Sequence, residues 1–214
     1  MKKGLLSVLF GVLILGVCSL SHADQITFQL NQVYSGTSPA GSTPWLEARF
    51  EDFGVLNSGE VKLTLDASRL TANEFVGEWC FNLSPSYNSP IFIDPDTGVL
   101  QPIVQNNYKA GPASDFDIKF VFVGLTNNSP ILAGQSVSFI LSGGPDLDAT
   151  DFNFTNGSGP YYSAAHVQSI GLNGDSGWIG ADGKTPPSPV PEPATMLLLG
   201  LGLTGLAFTG RRVH

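Results

Sequence analysis

Histidine, cysteine and the acidic residues are the side chains in this sequence that could carry chemistry. Between residues 24 and 189 the chain has one histidine, His166, and one cysteine, Cys80. A catalytic triad or a Cys–His pair needs a base beside its nucleophile, and no Gly-x-Ser-x-Gly turn is present to supply that nucleophile. One histidine and one cysteine also do not complete a tetrahedral zinc site. We therefore predict a protein that is not an enzyme, in which His166 is structural.

Aspartate occurs in two groups that could bind a hard cation. Asp94 and Asp96 form the first, and Asp146, Asp148 and Asp151 form the second. Carboxylate oxygens in loops are the ligands that calcium prefers, although neither group has the full EF-hand spacing. Aspartate is also common in turns and at helix caps. The pattern thus allows either a calcium site or turn and cap chemistry, and it predicts no other cofactor.

Large aromatic residues suggest a third kind of chemistry, the stacking of sugar rings. Trp178 and Tyr161 lie in glycine-rich stretches, which predicts exposed loops that could bind a glycan. The alternative is that these rings pack against the protein. Trp79 and Phe81 flank Cys80, so we expect this thiol to be a buried apolar residue.

Alternating apolar and polar residues predict the elements that position these side chains. The alternation is clear at residues 46–53, 61–66, 79–83 and 116–122, and glycine and proline recur between such segments. A short helical turn is expected at residues 148–151. About eight strands without a long helix predict an all-β domain, an antiparallel β-sandwich of jelly-roll or Greek-key type.

The N-terminus has the three parts of a secretory signal peptide. Lys2 and Lys3 precede an apolar stretch at residues 5–17, and Ser21 and Ala23 are the small residues that a signal peptidase reads. We expect a signal helix over residues 1–23 that is cleaved after Ala23 by signal peptidase.

The C-terminus combines a stiff motif, an apolar run and a basic stop. Pro191, Glu192 and Pro193 precede an uncharged run at residues 194–208, and Arg211 and Arg212 follow it. The run is shorter than the ~20 residues of an ordinary transmembrane helix, but it can span with its arginines at the interface. This segment resembles the PEP-CTERM sorting signal of bacterial surface proteins. The resemblance implies recognition and cleavage by an exosortase in a Gram-negative bacterium that exports polysaccharide.

Charge separates the middle of the chain from its ends. Residues 24–189 contain 17 acidic and 6 basic residues, a net charge of −11, whereas the whole chain carries −8. Nucleic-acid binding needs clustered lysine and arginine, so we expect no nucleic-acid partner. Segments 44–52 and 74–83 resemble domains that precede such sorting signals, and this likeness implies no particular activity.

These observations predict four regions: a signal peptide at residues 1–23, a β-sandwich at 24–170, a Gly/Pro-rich linker at 171–189 and a sorting and anchor segment at 190–214. They predict an exported, non-enzymatic protein. It would be anchored in the membrane at least transiently and then lie at the cell surface or in the extracellular matrix, where exopolysaccharide is a candidate partner. The alternative is a carbohydrate-binding module that uses loop aromatics, with or without calcium.

Overall fold

The fold follows the alternation of apolar and polar residues along the chain. A computed structural model describes residues 24–54, 58–71, 73–87, 89–93, 108–122, 129–155 and 161–181. The strands are β1 (Gln25–Gly36), β2 (Leu46–Phe53), β3 (Glu60–Asp66), β4 (Phe75–Phe81), β5 (Phe92–Ile93), β6 (Tyr108–Ala110), β7 (Ala113–Phe116), β8 (Ile118–Val121), β9 (Ile131–Leu132), β10 (Ser136–Ser142), β11 (Ser163–Ile170) and β12 (Asp175–Ala181). One 3-10 helix spans Ala149–Phe152.

Ten of these strands form one antiparallel sheet. Its order is β5-β10-β3-β2-β1-β12-β11-β4-β8, and β9 pairs with one end of β4. β6 and β7 pair only with each other and form a separate hairpin. The prediction of an all-β, antiparallel domain is therefore confirmed.

The predicted pair of stacked sheets is instead one continuous sheet that curls on itself. Phe120 in β8 and Phe139 in β10 belong to opposite ends of the strand order, yet their ring centroids are 5.7 Å apart. Phe50 in β2 and Phe81 in β4 also meet, at 5.0 Å. The curl brings the two halves of the sheet face to face, so their inner side chains share one core. The alternation in the sequence could not distinguish this from two sheets, because both arrangements bury every second residue.

The core contains the side chains that the alternation assigned to one face. Leu46, Ala48 and Phe50 of β2 are buried, and so are Val61 and the other apolar residues of β3. Trp79 and Phe81 of β4 point into this core, whereas Cys80 belongs to a different cluster on the other face. The alternation at residues 79–83 predicts that Cys80 points away from Trp79 and Phe81, and the structure confirms this.

β12 corrects the predicted linker. It lies within residues 171–189, yet it occupies the middle of the sheet between β1 and β11. Its glycines, which favoured a linker, are required by close packing. A Cβ at Gly177 would collide with the carbonyl oxygen of Thr37, and a Cβ at Gly180 would collide with the ring of Tyr34. The β-domain therefore extends at least to Ala181.

Within the described ranges, no helix is both long and apolar enough to cross a membrane. The predicted signal helix and transmembrane helix, at residues 1–23 and 190–214, lie outside these ranges. The cleavage site at Ala23 and the sorting residues from Pro191 to Arg212 lie outside them too.

Candidate functional site

The face of the sheet opposite the core carries a second cluster of side chains, here called the outer-face cluster. The β6–β7 hairpin packs on this face. The buried members of the cluster are Cys80, Ala110, Ala113, Phe116 and Ala164, and the partly buried members are Tyr34, Tyr108, Tyr161 and Trp178. Three of the residues singled out from the sequence, Cys80, Trp178 and Tyr161, therefore share one cluster.

Strand register places a row of functional side chains beside this cluster. His166 in β11 lies opposite Glu78 in β4 on one side and opposite Trp178 in β12 on the other. The imidazole stacks on the indole, with ring centroids 4.7 Å apart and planes 12° from parallel. Lys119 in β8 pairs with Glu78 at 2.6 Å, which places both charges at the end of the row.

His166 has the environment of a packed histidine. Its Nδ1 is 3.1 Å from Nε2 of Gln168, at hydrogen-bonding distance. Burial lowers the pKa of His166, and the opposing effect of Glu78, which raises it, is smaller. Burial thus favours the uncharged form of the ring that stacks on Trp178.

Trp178 and Tyr161 do not lie in exposed loops as predicted. Trp178 belongs to β12, and Tyr161 comes two residues before β11; both are half-buried. The indole of Trp178 stacks on His166 and also lies against Gly111 of the β6–β7 turn. The approach is so close that a Cβ at residue 111 would be 2.7 Å from the indole Cδ1. Tyr161 packs on Tyr34, with ring centroids 4.2 Å apart. The glycines near these rings permit close packing, whereas their frequency in the sequence predicted loops.

Cys80 lies beneath the β6–β7 hairpin and is fully buried. Burial raises the pKa of its thiol to about 12, because the thiolate would lose its hydration there. Cys80 opposes Ala164 in the strand register, whereas His166 opposes Glu78. The prediction of a buried thiol is confirmed, and its neutral sulfur makes a poor nucleophile.

The second aspartate group caps the 3-10 helix. The Asp148 side chain accepts a hydrogen bond from the Thr150 nitrogen at 2.7 Å, and the Asp151 side chain accepts one from the Asp148 nitrogen at 3.2 Å. The Asp148 side chain also accepts from the main chain of Asp151, and this reciprocal arrangement of Asp148 and Asp151 is a capping box. Burial is the main cause that raises the pKa of Asp151, and the nearby Asp148, Asp146 and Asp52 charges add to it. The helical turn and the cap interpretation are thus confirmed for Asp148 and Asp151.

No metal-binding arrangement accompanies this cap in the part of the chain that the structure describes. There, no group of three or more His, Cys, Asp or Glu side chains is placed to hold a metal ion. Asp146 is exposed in the turn that precedes the cap. Asp94 and Asp96 lie outside the described residues, so calcium binding at that pair stays a prediction.

Asn82 is a structural residue that sequence analysis did not identify. Its side chain is buried, and its Nδ2 lies 2.8–3.1 Å from the carbonyl oxygens of Phe154, Tyr161 and Tyr162. The amide therefore joins the end of β4 to the chain on both sides of residues 156–160. No periodic pattern marks such a residue, because its partners lie more than 70 positions away.

A polar pocket lies at the entry to β2, on a different part of the surface. It has a volume of about 200 Å³ and is lined by Pro44, Trp45, Leu46, Glu47, Asp66, Ser68 and Arg69. Ligand pockets usually have volumes of about 300–1,000 Å³. This pocket is therefore too small to hold most organic ligands.

The C-terminal segment is the part of the chain that comparison with known proteins matches. The family described as PEP-CTERM protein-sorting motif matches residues 189–212. The chain carries a PEP-CTERM sorting motif. The matched range contains the Pro191–Pro193 motif, the apolar run and both arginines, so the predicted resemblance is confirmed.

The PEP-CTERM motif indicates an exported protein that an exosortase processes and that is anchored transiently in the membrane. No curated protein and no solved structure matches the chain. The comparisons therefore bear on the sorting of this protein, and none of them matches its β-sheet domain.

Proposed function

We propose that this chain is a non-enzymatic protein of the cell surface or extracellular polysaccharide matrix of a Gram-negative bacterium. In this proposal signal peptidase removes residues 1–23, and an exosortase then acts on the PEP-CTERM segment. The match at residues 189–212 is the observation that carries the proposal. The contacts of His166 with Gln168 and Trp178, and the buried, protonated thiol of Cys80, support a non-enzymatic role because they do not form a nucleophile–base pair.

Electrostatics and apolar length support the direction of sorting. Arg211 and Arg212 favour the cytoplasmic side of the membrane, and the apolar run before them can cross it. The acidic domain that precedes the run then lies on the opposite side. Its net negative charge favours solubility and disfavours binding to nucleic acid.

The test of this proposal follows the full chain in a host with its exosortase gene and in the same host without it. We expect surface-extracted protein to begin at Asp24, because signal peptidase cleaves there. It should lack the segment after Pro193 only in the host that has the exosortase. Replacing both arginines with glutamine should block this processing, whereas Arg211→Lys with Arg212→Lys should preserve it because the charge remains. Unprocessed chain in the cytosol of the complete host would contradict the proposal.

A second candidate function, glycan binding, is favoured by the rings of Trp178 and Tyr161, which are half-buried and keep part of their surface accessible. They share one face with the side chains of Gln168 and Glu78, which can hydrogen-bond to sugar hydroxyls. Glycan-array binding that Trp178→Phe weakens and Trp45→Phe leaves unchanged would support this function. Trp45 is a matched control because it lies in the main core. An array without binding would exclude the glycans that it displays.

A further inference from the structure

The carboxylate of Asp52 is held between two main-chain nitrogens from distant parts of the chain. Its Oδ1 accepts a hydrogen bond from the Ala149 nitrogen, and its Oδ2 accepts one from the Asp24 nitrogen, both at 2.8 Å. The Asp52 nitrogen also donates to the Asp24 carbonyl oxygen at 3.0 Å. This bond extends the β1–β2 ladder by one pair beyond Gln25, so the backbone itself positions the Asp24 nitrogen at the carboxylate.

The surroundings of this carboxylate are acidic. Asp52 lies near Asp151, whose pKa is influenced by the charges of Asp52, Asp148 and Asp146. Among the described residues, the ion pairs formed by lysine and arginine are Arg49–Glu51 and Lys119–Glu78, and neither includes these four aspartates. A cation placed at the Asp24 nitrogen would therefore meet a region of uncompensated negative charge.

We propose that cleavage after Ala23 supplies this cation, as the α-ammonium group of Asp24. This inference rests on the proposed export of the chain. Hydrolysis breaks the bond between the Ala23 carbonyl carbon and the Asp24 nitrogen. Water supplies the oxygen of the new Ala23 carboxylate and a hydrogen of the new amine. An α-amino group has an ordinary pKa of about 7.7–8.0, so the new terminus takes up a proton at neutral pH.

The consequence is that a hydrogen bond already present in the precursor becomes charged, and therefore stronger, after processing. In the precursor, the Asp24 nitrogen is a neutral amide that donates one hydrogen bond to Asp52. In the processed protein the same atom carries a positive charge and three hydrogens, and charge-assisted hydrogen bonds are roughly twice as strong as neutral ones. Because Asp52 also binds the 3-10 helix, the new terminus stabilises the contact between the start of β1 and residues 148–152.

The test compares two exported full-length chains in each of two backgrounds. One has the native junction, and the other has Ser-Gly inserted between Ala23 and Asp24, which moves the charge but keeps the Asp24 amide. Each is made with Asp52 and with Asp52→Asn. With Asp52, the insertion should lower Tm by about 2–4 °C, a shift appropriate to a charged hydrogen bond in a chain of this size. In the Asp52→Asn background the insertion should leave Tm unchanged.

Mass spectrometry of the N-terminus distinguishes a failure of the predicted cleavage from a failure of the proposed contact with Asp52. An exported protein that starts at another residue would overturn both the predicted cleavage and this inference. A protein that starts at Asp24 but shows the same effect of the insertion in both backgrounds would overturn the inference alone. If Asp52→Asn does not fold, NMR titration of the ¹³C-methylated α-amine of the native-junction protein decides. A pKa above the ordinary range supports the inference, and one within or below it overturns it.

Discussion

At the scale of single residues, Asn82 belongs to a sequence motif for glycosylation, which is typical of surfaces, yet its side chain is buried. Asn82 and Ser84 form an Asn-x-Ser sequence, which in exported proteins can accept a glycan. The structure instead buries the amide and places its Nδ2 against three carbonyl oxygens. An amide with its nitrogen engaged in this way is not accessible for glycosylation. Its role is to join the end of β4 to the chain at residues 154 and 161–162.

Replacing Asn82 with alanine should therefore destabilise the domain. The substitution leaves three carbonyl groups without their common donor, and an unsatisfied buried polar group costs about 1–3 kcal/mol. We expect the free energy of unfolding, measured by urea titration, to fall by about that amount. Asn153→Ala is the matched control: the Oδ1 atoms of Asn82 and Asn153 are both buried without a partner, but the Nδ2 of Asn82 also bonds to three distant carbonyl groups. Equal losses for the two variants would contradict this role of Asn82.

Cys80 should be unreactive in the folded protein. With its pKa raised to about 12 from the ordinary 9.0, its thiolate fraction at pH 8 is about a thousandfold lower than in the unfolded chain. We expect Ellman's reagent to label Cys80 only after denaturant is added, with Cys80→Ala as the background control. Rapid labelling of the native protein would contradict the buried position.

The same pKa shift predicts an alkaline limit on stability. The folded state keeps the Cys80 thiol protonated at a pH where the unfolded chain ionises it. Its contribution to stability is therefore complete below pH 9.0 and is lost as the pH rises from there to about 12. Thermal melts across this range should show a steeper decline for the native sequence than for Cys80→Ala. Parallel declines of Tm in the two proteins would show that groups other than Cys80 determine the loss of stability at alkaline pH.

At the scale of elements, β12 depends on glycine because another strand's side chain lies across it. The ring of Tyr34 in β1 covers the position that a Cβ of Gly180 would occupy, and its hydroxyl donates to the Ala181 carbonyl oxygen at 2.9 Å. The ring contact and the hydrogen bond together hold β1 against β12 near two register shifts in β1. A glycine in this strand thus marks close approach of an aromatic ring.

Gly180→Ala should destabilise the domain by about 1–3 kcal/mol, the usual cost of overpacking. The cost should disappear in a Tyr34→Ala background, because the clash needs both side chains. A double-mutant cycle measured by chemical denaturation tests this coupling. If the two substitutions act additively, the Tyr34 ring is not what requires glycine at residue 180.

At the scale of the whole molecule, β12 determines where the folded domain ends. It pairs with β1 and with β11, so its removal would leave two unpaired strand edges in the middle of the sheet. A chain truncated after residue 189 should keep a cooperative thermal transition and a β-type circular dichroism spectrum. A chain truncated after residue 170, the predicted domain end, should lose both. Cooperative unfolding of the shorter chain would show that β12 is dispensable.

Several features of the fold could be predicted because they depend on neighbours in the sequence. The alternation in β2 and β3, the opposite orientation of Cys80 and the capping box at Asp148 each reflect side chains within a few residues of one another. The position of Trp178 could not be predicted in this way. Gly177 and Gly180 lie beside it, and in the sequence such glycines favour a flexible segment. Only the structure shows the residues that pack against them.

The sequence by itself determined the all-β class, the faces of the strands and the sorting motif, because periodicity and a contiguous motif are local properties of the chain. Only the tertiary structure decided that the sheet is continuous and curled and that Trp178 stacks on His166. It also decided that Asp52 meets the nitrogen of Asp24. These facts depend on strand order and register, which join residues as far apart as Leu30 and Ala181 through contacts that no local pattern encodes.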